Sequence, residues 1–179
     1  MFNIVGIDPS TNYIGLANFF IDDGLNLVDI ETTTIYTVNI EPPSNFNRQE
    51  FVNNYLFNFL TNYFLTYPVL GLAIESAFIN KFRISSYGPL TRVIQTIKLS
   101  YFNVYGNINR IIEYAPLLVK KHIGKEFFTD KKGTQEAIKN SYLNNFIKKD
   151  ITEHEYDAIA IANLLYKDIK SNPEFLLSI

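Results

Sequence analysis

Three acids in this sequence stand where a folded chain rarely leaves a carboxylate without a purpose. Asp8 closes the apolar run Phe2-Asn3-Ile4-Val5-Gly6-Ile7, just before the turn residues Pro9-Ser10-Thr11-Asn12. Glu75 closes a second run, Val69-Leu70-Gly71-Leu72-Ala73-Ile74, and is followed by Ser76-Ala77-Phe78. Asp157 lies within Thr152-Glu153-His154-Glu155-Tyr156-Asp157-Ala158-Ile159-Ala160-Ile161-Ala162, with His154 three positions before it. That spacing puts His154 and Asp157 on one helix face. An acid at the carboxyl end of a buried strand sits where open α/β sheets build their sites. Taken singly, each has a plainer use. Asp8 could bond its own turn, Glu75 could end an exposed strand, and His154 could mark an exposed helix start. Taken together they would repel one another, so their convergence implies bound cations. Oxygen-rich donors favour Mg²⁺ or Mn²⁺, and the chain has no cysteine to offer a thiolate site. Two such ions, roughly 4 Å apart, can activate a water and stabilise the leaving oxygen of a phosphodiester.

The elements that must carry these residues follow from the apolar periodicity. Residues 2–7 read as a buried strand ending at Asp8, and Tyr13 to Ile21 as a second strand. Asp22-Asp23-Gly24 is a hairpin turn signal, leading into a third strand from Leu25 to Tyr36. Pro42-Pro43-Ser44 breaks the chain, and Ser44 is placed to cap a helix through about Phe64. Val69 to Ile74 is a fourth strand. A long amphipathic helix is expected from Pro89 to Tyr105, with Leu90, Ile94, Ile97, Tyr101 and Val104 at helical spacing. A fifth strand, Asn109 to Tyr114, precedes a short basic helix at Val119 to His122. Gly124 to Gly133 reads as a flexible basic loop, Thr134 to Lys148 as a helix, and Thr152 to about Lys170 as the last helix. Thr152 and Glu155 have capping-box spacing, which gives Glu155 a structural task. Ala158, Ala160 and Ala162 would let that helix pack closely on the sheet. The expectation is a single domain over residues 1–179, an α/β sandwich with a five-stranded mixed sheet.

The composition suits a folded domain, with 47% apolar and 19% charged residues. No apolar run reaches the roughly 20 residues of a membrane span, and the first residues lack the features of a secretory signal. A cytoplasmic setting fits, and the richness in Asn, Ile, Tyr, Phe and Lys points to an AT-rich genome such as that of a phage or bacterium. The formal net charge of −2 hides a strong asymmetry. Residues 81–149 hold 13 Lys or Arg against 4 Asp or Glu, while the rest holds 3 against 14. A basic segment of this length suggests a polyanion-binding face.

In this order and spacing, the segments resemble the RuvC family of Holliday-junction resolvases, of RNase H-like fold. The family's opening motif is similar to Gly6-Ile7-Asp8-Pro9-Ser10, with Ser where many members have Gly. Its second is similar to Ile74-Glu75-Ser76-Ala77-Phe78 and its last to His154-Glu155-Tyr156-Asp157-Ala158-Ile159-Ala160-Ile161-Ala162. Tyr114-Ala115-Pro116-Leu117-Leu118-Val119-Lys120-Lys121 and Asp130-Lys131-Lys132 resemble its basic segment. The resemblance implies a homodimer that nicks opposed strands of a four-way DNA junction, with two Mg²⁺ or Mn²⁺ ions per site. Asp8, Glu75, His154 and Asp157 would then hold the metals. Lys120 and Lys132 would contact the scissile phosphates, with their neighbours Lys121 and Lys131 not separated from that role. Phe78 would stack on a base at the crossover, with Lys81 and Arg83 contacting DNA beside it, and the helix from Pro89 to Tyr105 would form the dimer contact. No membrane and no small-molecule cofactor are implied.

His154 departs from an all-carboxylate set, removing one negative charge from the site. Three other readings remain at this point. A sugar-kinase or Hsp70-like ATPase fits Asp8-Pro9-Ser10-Thr11 only loosely, and 179 residues are too few for its two subdomains. A nuclease of the same fold could debranch flaps or forks, since the site residues read phosphate and metal rather than branch geometry. A non-catalytic scaffold could bind branched DNA through the same basic face.

Overall fold

The structure, a computed structural model, describes residues 1–45, 47–77, 84–123, 131–172 and 174, with backbone alone for 84–86 and 131–132. Strands β1 (Phe2–Asp8), β2 (Tyr13–Ile21), β3 (Leu27–Tyr36), β4 (Val69–Glu75) and β5 (Ile111–Tyr114) form one sheet in the order β3-β2-β1-β4-β5. β1 runs antiparallel to β2, and β2 antiparallel to β3, whereas β4 runs parallel to both β1 and β5. The sheet is mixed, as expected.

Helices cover both faces. The helices α1 (Arg48–Thr66) and α2 (Ile84–Tyr105) bury Val52, Leu56, Leu60, Ile94, Ile97 and Tyr101 against Val5, Ile7 and Ile74. On the other face α5 (Glu153–Ser171) packs Ile159, Ala160 and Ile161 against Ile4, Ala17 and Phe19. The shorter α3 (Pro116–Ile123) and α4 (Lys131–Lys139) lie beside α5. β1 is buried along almost its whole length because both its faces are covered, which explains a sequence that is apolar apart from Asn3 and the terminal Asp8. Among the described residues, no helix is long and apolar enough to cross a membrane.

Several boundaries differ from expectation. Asn47, not Ser44, caps α1, accepting from the backbone N–H groups of Gln49 (2.9 Å) and Glu50 (3.3 Å). α2 starts before Pro89 and carries that proline internally. As the sixth residue of the helix it forgoes one backbone hydrogen bond, which the packing of the rest of α2 must offset. α4 begins at Lys131 and stops at Lys139 instead of running from Thr134 to Lys148. There Ser141 donates to the carbonyl of Ile138 (2.8 Å) and accepts from Leu143 N–H (3.2 Å), turning the chain into a 3-10 segment, Tyr142–Phe146. Residues 131–133 of the expected basic loop are thus helical, and 124–130 lie outside the described residues.

Candidate active site

β1 and β4 are parallel neighbours, with Ile7 opposite Ile74. Their last residues, Asp8 and Glu75, therefore emerge side by side at the carboxyl edge of the sheet. The first turns of α5 bring His154 and Asp157 to the same place. A cavity of about 230 Å³ is lined by Asp8, Ser10, Glu75, Val119, Lys120, Thr134, His154 and Asp157.

Close backbone packing sets this meeting. A Cβ on Gly15 would fall 2.0 Å from the His154 carbonyl oxygen, and one on Gly6 would fall 2.3 Å from that of Ala158. Glycine on the sheet and alanine on the helix let α5 approach at this depth. The start of α5 is fixed by its capping box. Thr152 Oγ1 accepts from Glu155 N–H (3.2 Å), and Glu155 Oε2 accepts from Thr152 N–H (2.7 Å). Thr152 also bonds Thr34 of β3, hydroxyl to hydroxyl at 2.7 Å, tying the helix start to the sheet edge. Glu155 is buried at the cap, 4% exposed, in the structural task that its spacing suggested.

His154 Nδ1 lies 2.8 Å from Asp8 Oδ2, while Nε2 lies 3.7 Å from Glu153 Oε1. The bond to Asp8 raises the pKa of His154 above its ordinary value, against the opposing effect of burial. Glu75 is pushed up to about 7, first by burial and then by the negative charges of Asp8 and Asp157, with Lys120 pulling it back. Asp8, Glu75 and Asp157 thus crowd negative charge into the cavity, with Lys120 beside them. Among the described residues no three His, Asp or Glu side chains close tightly enough around one point to ligate an ion. Asp8 and His154 are bonded to each other and line one cavity with Glu75 and Asp157. The donor types suit Mg²⁺ or Mn²⁺.

No protein-family model and no curated protein sequence matches the chain. Solved structures do. Thermus thermophilus RuvC in complex with a Holliday junction substrate superposes with a TM-score of 0.70 at 15% identity, over 97% of each chain. A further Thermus thermophilus RuvC structure gives 0.70 at 16% identity, over 94% of this chain and 96% of that one. The chain has the fold of RuvC. The yeast mitochondrial Holliday junction resolvase Ydc2 has the same architecture, with a TM-score of 0.62 at 11% identity over 99% of this chain and 86% of that one. The RNase H-like fold expected from the motifs is therefore the one observed.

On this RuvC fold, Asp8, Glu75, His154, Asp157 and Lys120 share one cavity. Lys121 is exposed on α3 and does not line it. Lys131 and Lys132 are the first residues of α4, and Phe78, Lys81 and Arg83 lie outside the described residues. Ser10 and Thr134 add hydroxyl groups to the wall that the motif spacing had not singled out. Ser10 closes the Gly6-Ile7-Asp8-Pro9-Ser10 motif, in which Asp8 alone carries a chemical signal. Thr134 stands three and four positions before Ala137 and Ile138, both buried, and this helical spacing is the signal that turns it inward.

Proposed function

We propose that the chain is a divalent-metal-dependent endonuclease that resolves four-way DNA junctions by paired nicks, acting as a homodimer. The observation that carries this reading is the convergence of Asp8, Glu75, His154 and Asp157 with Lys120 in one cavity, on a fold shared with a junction-bound RuvC. These four side chains would hold the ions, and Glu75, raised to about 7, is the carboxylate whose charge most needs neutralising. Two Mg²⁺ or Mn²⁺ ions there would supply activation of a water and stabilisation of the leaving oxygen. Lys120 would donate to a non-bridging oxygen of the scissile phosphate and balance its charge in the transition state. Lys132, with Lys121 and Lys131, would extend that positive wall, and Phe78, Lys81 and Arg83 would meet DNA beyond β4, all assigned from the sequence pattern.

Polyanion binding is supported by the excess of basic residues between positions 81 and 149. The dimer seam needs one adjustment. Val93, Ile94, Ile97 and Tyr101 of α2 are used in the core, so a contact through this helix would use its outward Leu99 and Phe102, 57% and 50% exposed.

The test is cleavage of end-labelled four-way junction, flap and plain duplex DNA in Mg²⁺ and in Mn²⁺, beside Asp8→Asn. Symmetric paired nicks in the junction, lost in Asp8→Asn, are expected. Equal cutting of flaps would move the substrate to branched DNA in general. Junction binding with no cutting in either metal would make the protein a scaffold.

A further inference from the structure

We propose that Tyr13 is a positioning residue that fixes the ring plane of His154, so that the imidazole is held toward a divalent cation beside Asp8; this rests on the metal-dependent reading of the cavity. Tyr13 is the first residue of β2, just past the turn that follows Asp8. Its ring stacks on the His154 imidazole, with centroids 5.4 Å apart and planes only 18° from parallel. Tyr13 is held in turn by Tyr36, its directly opposed partner on β3, whose ring meets it edge-on at 5.8 Å and 89°. Cross-strand aromatic pairs of this kind contribute to stability beyond the area they bury.

The need for such a clamp follows from the Asp8 contact. Nδ1 faces Asp8, itself one of the proposed ion ligands, whereas Nε2 faces Glu153, which lines no part of the cavity. An ion bound by Asp8 would compete with that contact, and the imidazole could then rotate about its Cβ–Cγ bond and turn Nδ1 away. A flat aromatic face stacked on the imidazole opposes that rotation. The neighbouring Glu153 carboxylate, 3.7 Å from Nε2, is beyond hydrogen-bond range and does not replace this restraint. The tyrosine hydroxyl plays no part, so phenylalanine should serve as well.

Mn²⁺ would be titrated by calorimetry into wild type, Tyr13→Phe and Tyr13→Val, and the His154 ring-proton shifts followed by NMR in the same proteins. Valine suits a strand, so this variant should fold. Tyr13→Phe should bind as wild type does, and Tyr13→Val should bind roughly ten- to a hundredfold more weakly, the range seen when a ligand's orienting partner is lost. The aromatic displacement of the His154 ring protons should persist in Tyr13→Phe and vanish in Tyr13→Val. Should Tyr13→Val fail to fold, Tyr36→Val, which loosens the clamp without touching His154, must show weakened Mn²⁺ binding in its place. Mn²⁺ affinity unchanged in the folded valine variant would overturn the proposal. Wild type that binds Mn²⁺ yet cuts no branched DNA would remove the nuclease reading while the Tyr13 comparison still decides this one. Wild type that binds no Mn²⁺ would remove both.

Discussion

His154 Nδ1 and Asp8 Oδ2 lie 2.8 Å apart although 146 positions separate them in the chain. The contact joins the end of the central strand to the first turn of the last helix, and it pairs a neutral-capable donor with a carboxylate. A histidine at this position leaves the site one negative charge poorer than an aspartate would. Replacing it should therefore shift the metal preference. His154→Asp is expected to cut DNA with a Mg²⁺-to-Mn²⁺ rate ratio raised above that of wild type, because a hard, charged oxygen suits Mg²⁺ better than imidazole does. His154→Ala should lose about a hundredfold in rate with either ion. Initial rates on a labelled junction in each metal decide it, and an unchanged ratio in His154→Asp would sink the idea.

The raised pKa values at the site should make the metal-free protein less stable as pH rises. Glu75 takes up its proton near pH 7 in the folded state, whereas unfolded it does so in the usual carboxylate range. Between those values the folded state binds more protons, so stability is lost as pH climbs through the window, by at most about 3 kcal/mol for this half-buried group. His154, also raised, acts in the same direction just above its ordinary range. Melting of EDTA-treated protein should thus fall between about pH 5 and about pH 8, more steeply in wild type than in Glu75→Gln. Mg²⁺ should restore most of the loss at the alkaline end by binding only the folded state. Equal slopes in wild type and Glu75→Gln would show that Glu75 does not carry the effect.

Much of this was legible in the sequence because its signals were local. Asp8 and Glu75 could be placed at strand ends from six-residue apolar runs, and Thr152 with Glu155 marked the helix start that aims His154 and Asp157. What escaped was either long-range or a competition between weak local preferences. Tyr13 touches His154 only after the chain has folded, and no spacing announces it. Asn47 outcompeted Ser44 as a cap, and Ser141 ended α4 early amid asparagines with poor helix propensity. The complementarity of Gly6 and Gly15 to the alanine-rich helix was half visible, since the alanines announced close packing but not the glycines that receive them.

That close packing can be tested directly. Gly15→Ala places a Cβ 2.0 Å from the His154 carbonyl oxygen, a backbone atom that cannot rotate away. The helix start must shift, carrying His154 with it. Gly15→Ala is expected to lower the unfolding free energy by about 2 kcal/mol or more and to cut DNA at least tenfold more slowly even where it remains folded. Gly71→Ala makes the matched control. There the Cβ would meet the end of the Leu165 side chain at 3.1 Å, which can adjust. Urea midpoints and cleavage rates for the two variants, measured together, decide it: similar losses in both would mean that the Gly15 approach has no special bearing on the site.

The two adjacent lysines of α3 offer the sharpest division of roles. Lys120 lines the cavity and draws the Glu75 pKa downward, so its ammonium group acts on the site through space. Lys121, one residue further round the helix, is exposed and lines no part of that cavity. Lys120→Ala should therefore reduce the cleavage rate at saturating junction by about a hundredfold, the scale set by removal of one donor to a developing negative charge. Its Glu75 should also hold its proton to higher pH, since the positive charge that pulls its pKa down is gone. Lys121→Ala should leave the saturated rate within about threefold of wild type and weaken binding slightly, with a shallower dependence on salt. Lys120→Arg should recover part of the rate, because charge returns but as a planar guanidinium instead of a compact ammonium. Single-turnover rates with excess enzyme separate chemistry from binding. Equal rate losses in Lys120→Ala and Lys121→Ala would show that the phosphate is reached from the exposed face of α3 and not from the cavity wall.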